Sequence, residues 1–186
     1  IAAITERAMR GEIDFEPALR ERVGLLKGLP EAVIAKVLAE RITLTPGART
    51  LVQTMKANGA YAALVSGGFT AFTGSVRDRL GMDEDRSHTL NVEDGLLAGT
   101  VGEPILGRDA KRARLEELIA ERGIARSDTL AVGDGANDLA MLDGAGLGVA
   151  FHAKPKVAEA ADARIDHGDL TALLYLQGYS RDAFVD

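Results

Sequence analysis

Apolar residues recur at three- and four-residue intervals over residues 1–10, 15–26 and 31–40, so the opening stretch is predicted to be helical, punctuated by Gly11, Gly28 and Pro30. From Thr45 the pattern changes to helices alternating with short apolar runs. A helix is predicted over 46–58, stopped by Asn58-Gly59, then a strand over 60–65 that Ser66-Gly67-Gly68 breaks sharply, then a helix over 69–80. Strands over 89–92 and 96–101 flank Asp94-Gly95, a pair favoured in tight turns, and predict a β-hairpin. A helix over 109–122, a strand over 129–132, a short helix over 139–143, a strand over 147–150 and helices over 155–161 and 169–176 complete the pattern. Such alternation is the signature of the α/β class with a largely parallel sheet. The change of texture near Ile42–Pro46 divides the chain into a helical segment, 1–43, and an α/β core, 44–186, with the hairpin near 88–102.

An α/β sheet of this kind binds its ligand outside the carboxyl ends of its strands. Two predicted strands end in unusual loops, Val65-Ser66-Gly67-Gly68-Phe69 and Val132-Gly133-Asp134-Gly135-Ala136-Asn137-Asp138. Charge narrows the ligand: a net −6 argues against broad electrostatic adhesion to nucleic acid or to an anionic membrane, and favours a small molecule. No apolar run approaches the roughly 20 residues that span a bilayer. Cysteine is absent, which removes thiolate nucleophiles, thiolate metal sites and disulfides.

The loop from Gly133 to Asp138 sets two carboxylates and a carboxamide just past a strand, with glycines that allow close backbone approach. Hard oxygen donors of this kind suit Mg²⁺, with Asp134 as direct ligand and Asp138 as a carboxylate orienting a metal-bound water or Lys111. The competing view is that Asp134 and Asn137 only form a turn and cap the next helix. Ser66-Gly67-Gly68 offers a hydroxyl and amides where a helix dipole favours phosphate, but taken alone it reads first as an ordinary N-cap with permissive glycines. Lys111 cannot be told by spacing from its neighbours Arg108, Arg112 and Arg114. His88, His152 and His167 lack metal-binding spacing, and no dinucleotide fingerprint, P-loop, nucleophile elbow or EF-hand loop is present.

Taken in order, VSGGF at 65–69, Lys111 and VGDGAND at 132–138 resemble motifs II, III and IV of the haloacid dehalogenase (HAD) superfamily. Ala8-Met9-Arg10-Gly11, Phe15, the run from Ala18 to Val23 and Leu25-Leu26 resemble the helical cap of its phosphoserine phosphatase branch. The resemblance implies a HAD-like Rossmannoid core with a partial helical cap. It assigns Ser66, the Gly67 amide and Lys111 to the substrate phosphate, Asn137 to a phosphate contact, Asp134 to Mg²⁺ and Asp138 to the supporting acid of the metal site. In the cap it gives Arg22 the substrate carboxylate, and makes Met9 and Phe15 apolar residues that close over the substrate. The implied reaction is Mg²⁺-dependent hydrolysis of O-phospho-L-serine through an aspartyl-phosphate, the last step of serine biosynthesis, in a cytoplasmic enzyme for which a homodimer is allowed.

One part of that pattern is missing. The superfamily's DxDx[TS] run, which supplies the nucleophile and the general acid/base aspartates, does not occur, and Asp83-Glu84-Asp85-Arg86 follows a helix and lacks the hydroxyl residue. With Ile at position 1 and no initiator Met, the chain reads as a fragment lacking a core strand that is central in the superfamily's sheet. Such a fragment is expected to expose strand edges and to lack turnover. Another small-molecule HAD phosphatase or phosphotransferase, and a noncatalytic module derived from the fold, are the alternatives.

Overall fold

The computed structural model describes residues 3, 4, 7, 12–107 and 109–186; Met9, most of the helix expected over 1–10, and Arg108 lie outside these residues. In chain order the elements are α1 (Phe15–Gly24), α2 (Ala32–Arg41), α3 (Ala48–Ala57), β1 (Ala63–Phe69), α4 (Thr70–Leu80), β2 (Glu84–His88), β3 (Leu90–Glu93) and β4 (Leu96–Val101). They continue with α5 (Ala110–Arg122), β5 (Leu130–Gly133), α6 (Leu139–Gly144), β6 (Leu147–Phe151), α7 (Pro155–Ala160), β7 (Ala163–Ile165) and α8 (Ala172–Leu176). Among the described residues no helix is long and apolar enough to cross a membrane. The chain divides into two compact units, Ile1–Leu44 with Ala62–Gly107, and Thr45–Tyr61 with Arg108–Asp186.

In the first unit β1 and β2 pair in parallel, and β3 and β4 form the antiparallel hairpin. Asp94 and Gly95 both have positive φ, 50° and 75°, the paired left-handed conformation that lets a two-residue turn follow the twist of its strands. Leu19 and Val23, one turn apart on α1, pack with Val101 of β4 against Phe69, Leu90 and Ile105. Burying each of these aliphatic side chains contributes about 1.5–3 kcal/mol, which holds α1 against the hairpin.

β2 was not expected, because Glu84-Asp85-Arg86-Ser87-His88 shows no apolar alternation. Its polar side chains are satisfied instead. Asp85 accepts from Thr73 Oγ1 at 2.6 Å and Arg77 Nη1 at 2.6 Å, and Ser87 shares a hydrogen bond with Thr73 at 2.7 Å. A second correction concerns Ser66-Gly67-Gly68, which does not end its strand: β1 runs on to Phe69. Pairing with β2 covers Ala63 to Val65, shifts register, and resumes where Phe69 meets His88.

In the second unit β5, β6 and β7 lie side by side in parallel. Side chains alternate across this sheet with the strand period of two. Leu130, Val132 and Val149 pack on one face with Leu51 of α3 and Leu173 of α8. Ala131 and Ala150 pack on the other with Leu142 of α6 and Val157 of α7. Burial on both faces explains why these strands read as short continuous apolar runs, and it leaves the carboxyl end of β5 as the place where polar residues emerge.

Candidate active site

β5 ends at Gly133 and α6 starts at Leu139, so Asp134 to Asp138 form one tight turn. Asp138 organises it from within. Its side chain is 4% exposed; Oδ2 accepts the amides of Asp134 and Gly135, each at 3.0 Å, and Oδ1 takes the ammonium of Lys111. Each oxygen of the buried carboxylate is therefore paired, the condition under which a charge can be buried without a large penalty. The glycines make room for this. A Cβ on Gly133 would fall 2.6 Å from Cγ of Asp138, and one on Gly135 would fall 2.6 Å from Oδ1 of Asn137.

The turn presents Asp134 and Asn137 to solvent while Asp138 stays inside. Asp134 is tied down through its backbone, whose carbonyl accepts the Lys154 amide at 3.1 Å. Of the competing view, the turn is present, but the N-cap of α6 is Asp138 rather than Asn137, and its side chain makes no cap bond and reaches back into the turn instead.

Three basic residues of α5 that spacing could not separate are separated by their partners. Arg112 pairs with Glu116 at 2.8 Å and Asp143 at 3.6 Å, and Arg114 with Glu117 and Glu121 at 2.9 and 2.8 Å, whereas Lys111 goes to Asp138. The Glu partners lie on α5 itself and hold their arginines along the helix.

In the first unit, Ser66 is partly buried on β1 and its Oγ accepts the Gly68 amide at 3.0 Å. It is not the N-cap of α4, a position held by Phe69. Gly67 is exposed, with nothing within 4 Å of where its Cβ would be. Phe15, 40% exposed at the start of α1, sets its ring 5.9 Å from that of His88. Arg22 is partly buried, and its Nε donates to the Ala18 carbonyl at 3.3 Å.

Mg²⁺ takes oxygen donors, commonly one or two carboxylates completed by water and substrate phosphate oxygens. The turn fits that donor set with one carboxylate, Asp134, since Asp138 is engaged by Lys111 and two amides. Among the described residues no three His, Cys, Asp or Glu side chains group as a ready-made metal cage.

Comparison with known proteins bears on the same segments. A family model described as haloacid dehalogenase-like hydrolase matches residues 2–143. The chain belongs to this family. It is 48% identical over 182 residues to a protein named phosphoserine phosphatase from Streptomyces coelicolor, covering 98% of this chain and 44% of that protein. It is 50% identical to another of that name from Polaromonas, over 95% of this chain and 77% of the relative. A solved structure titled as a substrate-bound phosphoserine phosphatase complex superposes with a TM-score of 0.84 at 42% identity, over 94% of this chain and 83% of that one. The chain thus spans less than half of the Streptomyces relative and about three quarters of the Polaromonas one.

As a member of this family the chain has the α/β fold with parallel strands that its pattern predicts. Sequence reasoning gives His88, like the other two histidines, a surface or structural place and no functional role; it is 1% exposed and bonded at both ring nitrogens. The signal available was its place just before the hairpin, and nothing in the spacing of the three histidines distinguishes it.

Proposed function

We propose that the protein containing this chain is a Mg²⁺-dependent phosphomonoester hydrolase that converts O-phospho-L-serine to L-serine and phosphate. The observation that carries the proposal is the turn after β5, where Asp138 is engaged by Lys111 and two amides while Asp134 stays exposed. High identity to several proteins named phosphoserine phosphatase supports the choice of substrate.

The chemistry needs two anions to meet, an attacking carboxylate and a phosphate, and the residues present are suited to cancelling that repulsion. Ser66 Oγ, the Gly67 amide and the Lys111 ammonium bind and orient phosphate oxygens, and Asn137 adds a contact to the same group. Asp138 holds Lys111 and fixes the turn. Asp134 would hold Mg²⁺, which supplies charge neutralisation at the phosphate. Arg22 receives the substrate carboxylate, a task suited to a planar two-pronged donor. Phe15 and Met9 cover the substrate from the helical segment 1–43. The nucleophile that forms the aspartyl-phosphate, and the aspartate that acts as acid and then base, are not among these 186 residues; the residues alone are expected to be inactive. The setting is cytoplasmic serine biosynthesis.

Substrate competition tests the proposal. In an active preparation, Arg22→Ala should raise KM for O-phospho-L-serine while leaving O-phosphoethanolamine, which lacks the carboxylate, unaffected. Equal loss on both substrates, or no preference for phosphoserine in the wild type, contradicts it.

A further inference from the structure

His88 closes β2 and is 1% exposed, yet no step above uses it. Its ring nitrogens meet two backbone groups: Nδ1 lies 3.1 Å from the Gly68 carbonyl oxygen, and the Leu106 amide donates to Nε2 at 3.2 Å. A carbonyl only accepts and an amide N–H only donates, so Nδ1 carries the proton and Nε2 is bare. The two bonds therefore specify one neutral tautomer. The rings of Phe15 and Phe69 pack against the imidazole with centroids 5.9 and 6.3 Å away.

The bond falls where the sheet leaves a gap. The β1–β2 ladder is in register through Val65 and again at Phe69, with a register shift between them. Within that interval lie Ser66, Gly67 and Gly68, and glycines hold their own backbone angles poorly. Gly68 is instead held from both sides. Its amide donates to Ser66 Oγ at 3.0 Å, and its carbonyl accepts from His88.

We infer that His88 is a positioning residue: through Nδ1–H it clamps the Gly68 carbonyl and so aims the Ser66 hydroxyl and Gly67 amide at the anion they bind. The identity of that anion as phosphate rests on the proposed function. His88 touches no substrate in this role and acts through Gly68.

Two substitutions separate its two bonds. The amide nitrogen of His88→Asn occupies the place of Nδ1 and retains the donor to Gly68, whereas the amide oxygen of His88→Gln occupies the place of Nε2 and retains the acceptor for Leu106. Inorganic phosphate is titrated into a protein that joins a DxDx[TS]-bearing segment to these residues, as wild type and both variants, following the Gly67 and Gly68 amides by NMR, and the His88 ring nitrogens of the wild type are observed at pH 8. We expect a ring protonated on Nδ1, an Asn variant that binds phosphate within about twofold of wild type, and a Gln variant weaker by about tenfold, the effect of one lost hydrogen bond. A ring protonated on Nε2, or equal weakening in both variants, overturns the inference. If the wild type shows no phosphate-dependent shift, the proposed function fails. His88 is then judged by its tautomer and by the Gly68 resonance, which the inference requires to move in the Gln variant and to stay in the Asn variant.

Discussion

Gly133 and Asp138 share one space: a Cβ on the glycine would stand 2.7 Å from the Oδ2 atom that accepts two backbone amides of the turn. The glycine is required by the carboxylate five positions later, and the carboxylate in turn shapes the loop that bears Asp134. A single methyl group at Gly133 must push the buried carboxylate off its donors. Gly133→Ala should therefore cost about 1–3 kcal/mol by overpacking, read from urea unfolding. At Gly67, where a Cβ would meet nothing within 4 Å, the same substitution should stay within about 0.5 kcal/mol. Equal effects at the two positions would contradict this account of the turn.

Lys111 and Asp138 form an ion pair whose side chains are 18% and 4% exposed. Removing the cation leaves a buried carboxylate with only its two amides, so Lys111→Met should destabilise by about 3 kcal/mol. Arg112→Met removes a cation that is 42% exposed and pairs along the surface of α5, and should change stability by less than about 1 kcal/mol. Thermal melts of the two variants check the contrast; comparable losses would contradict it.

Acid sensitivity has a local source in the second unit. Thr171 donates its hydroxyl at 2.5 Å and its amide at 2.8 Å to Asp169 Oδ1, and these bonds, the hydroxyl first, hold the Asp169 carboxyl below its ordinary value. Because the folded state keeps the proton off more readily than the unfolded chain, the contribution is complete above the ordinary aspartate value of about 4 and disappears as pH falls through the lowered native value. Asp169→Asn should flatten the fall in stability below about pH 4, measured by urea unfolding as pH is lowered from neutrality. An unchanged acid limb would contradict the assignment.

Legibility in the sequence followed the physical origin of each element. Leu130 to Gly133 and Leu147 to Phe151 are buried on both faces and announce themselves as apolar runs, and Asp94-Gly95 declares its turn through the backbone angles it must adopt. β2 escaped notice because its residues are polar and show no apolar alternation: it is held by parallel pairing with β1 and by Asp85 and Ser87 meeting Thr73 and Arg77 of α4. β7 has only three residues, too few for a period to register. At the site, the GDGAND string could be read as a cation-binding turn with Asp134 as ligand and Asp138 behind it orienting a water or Lys111; that Asp138 takes Lys111, 27 positions earlier, together with two amides of the turn emerges only from the fold. His88 was invisible for the same reason, since its partners Gly68 and Leu106 lie 20 and 18 residues away.

The central claim is that these residues bind the phosphate and the metal for a phosphoserine phosphatase whose nucleophile lies outside them. The most direct measurement is phosphate release from O-phospho-L-serine, with and without Mg²⁺, by the 186-residue chain and by a protein that adds a DxDx[TS]-bearing segment, each as wild type and Asp134→Ala. The account predicts turnover only in the longer wild-type protein, dependent on Mg²⁺ and abolished by Asp134→Ala. Turnover by the 186 residues alone, or a longer protein indifferent to Asp134, would contradict it.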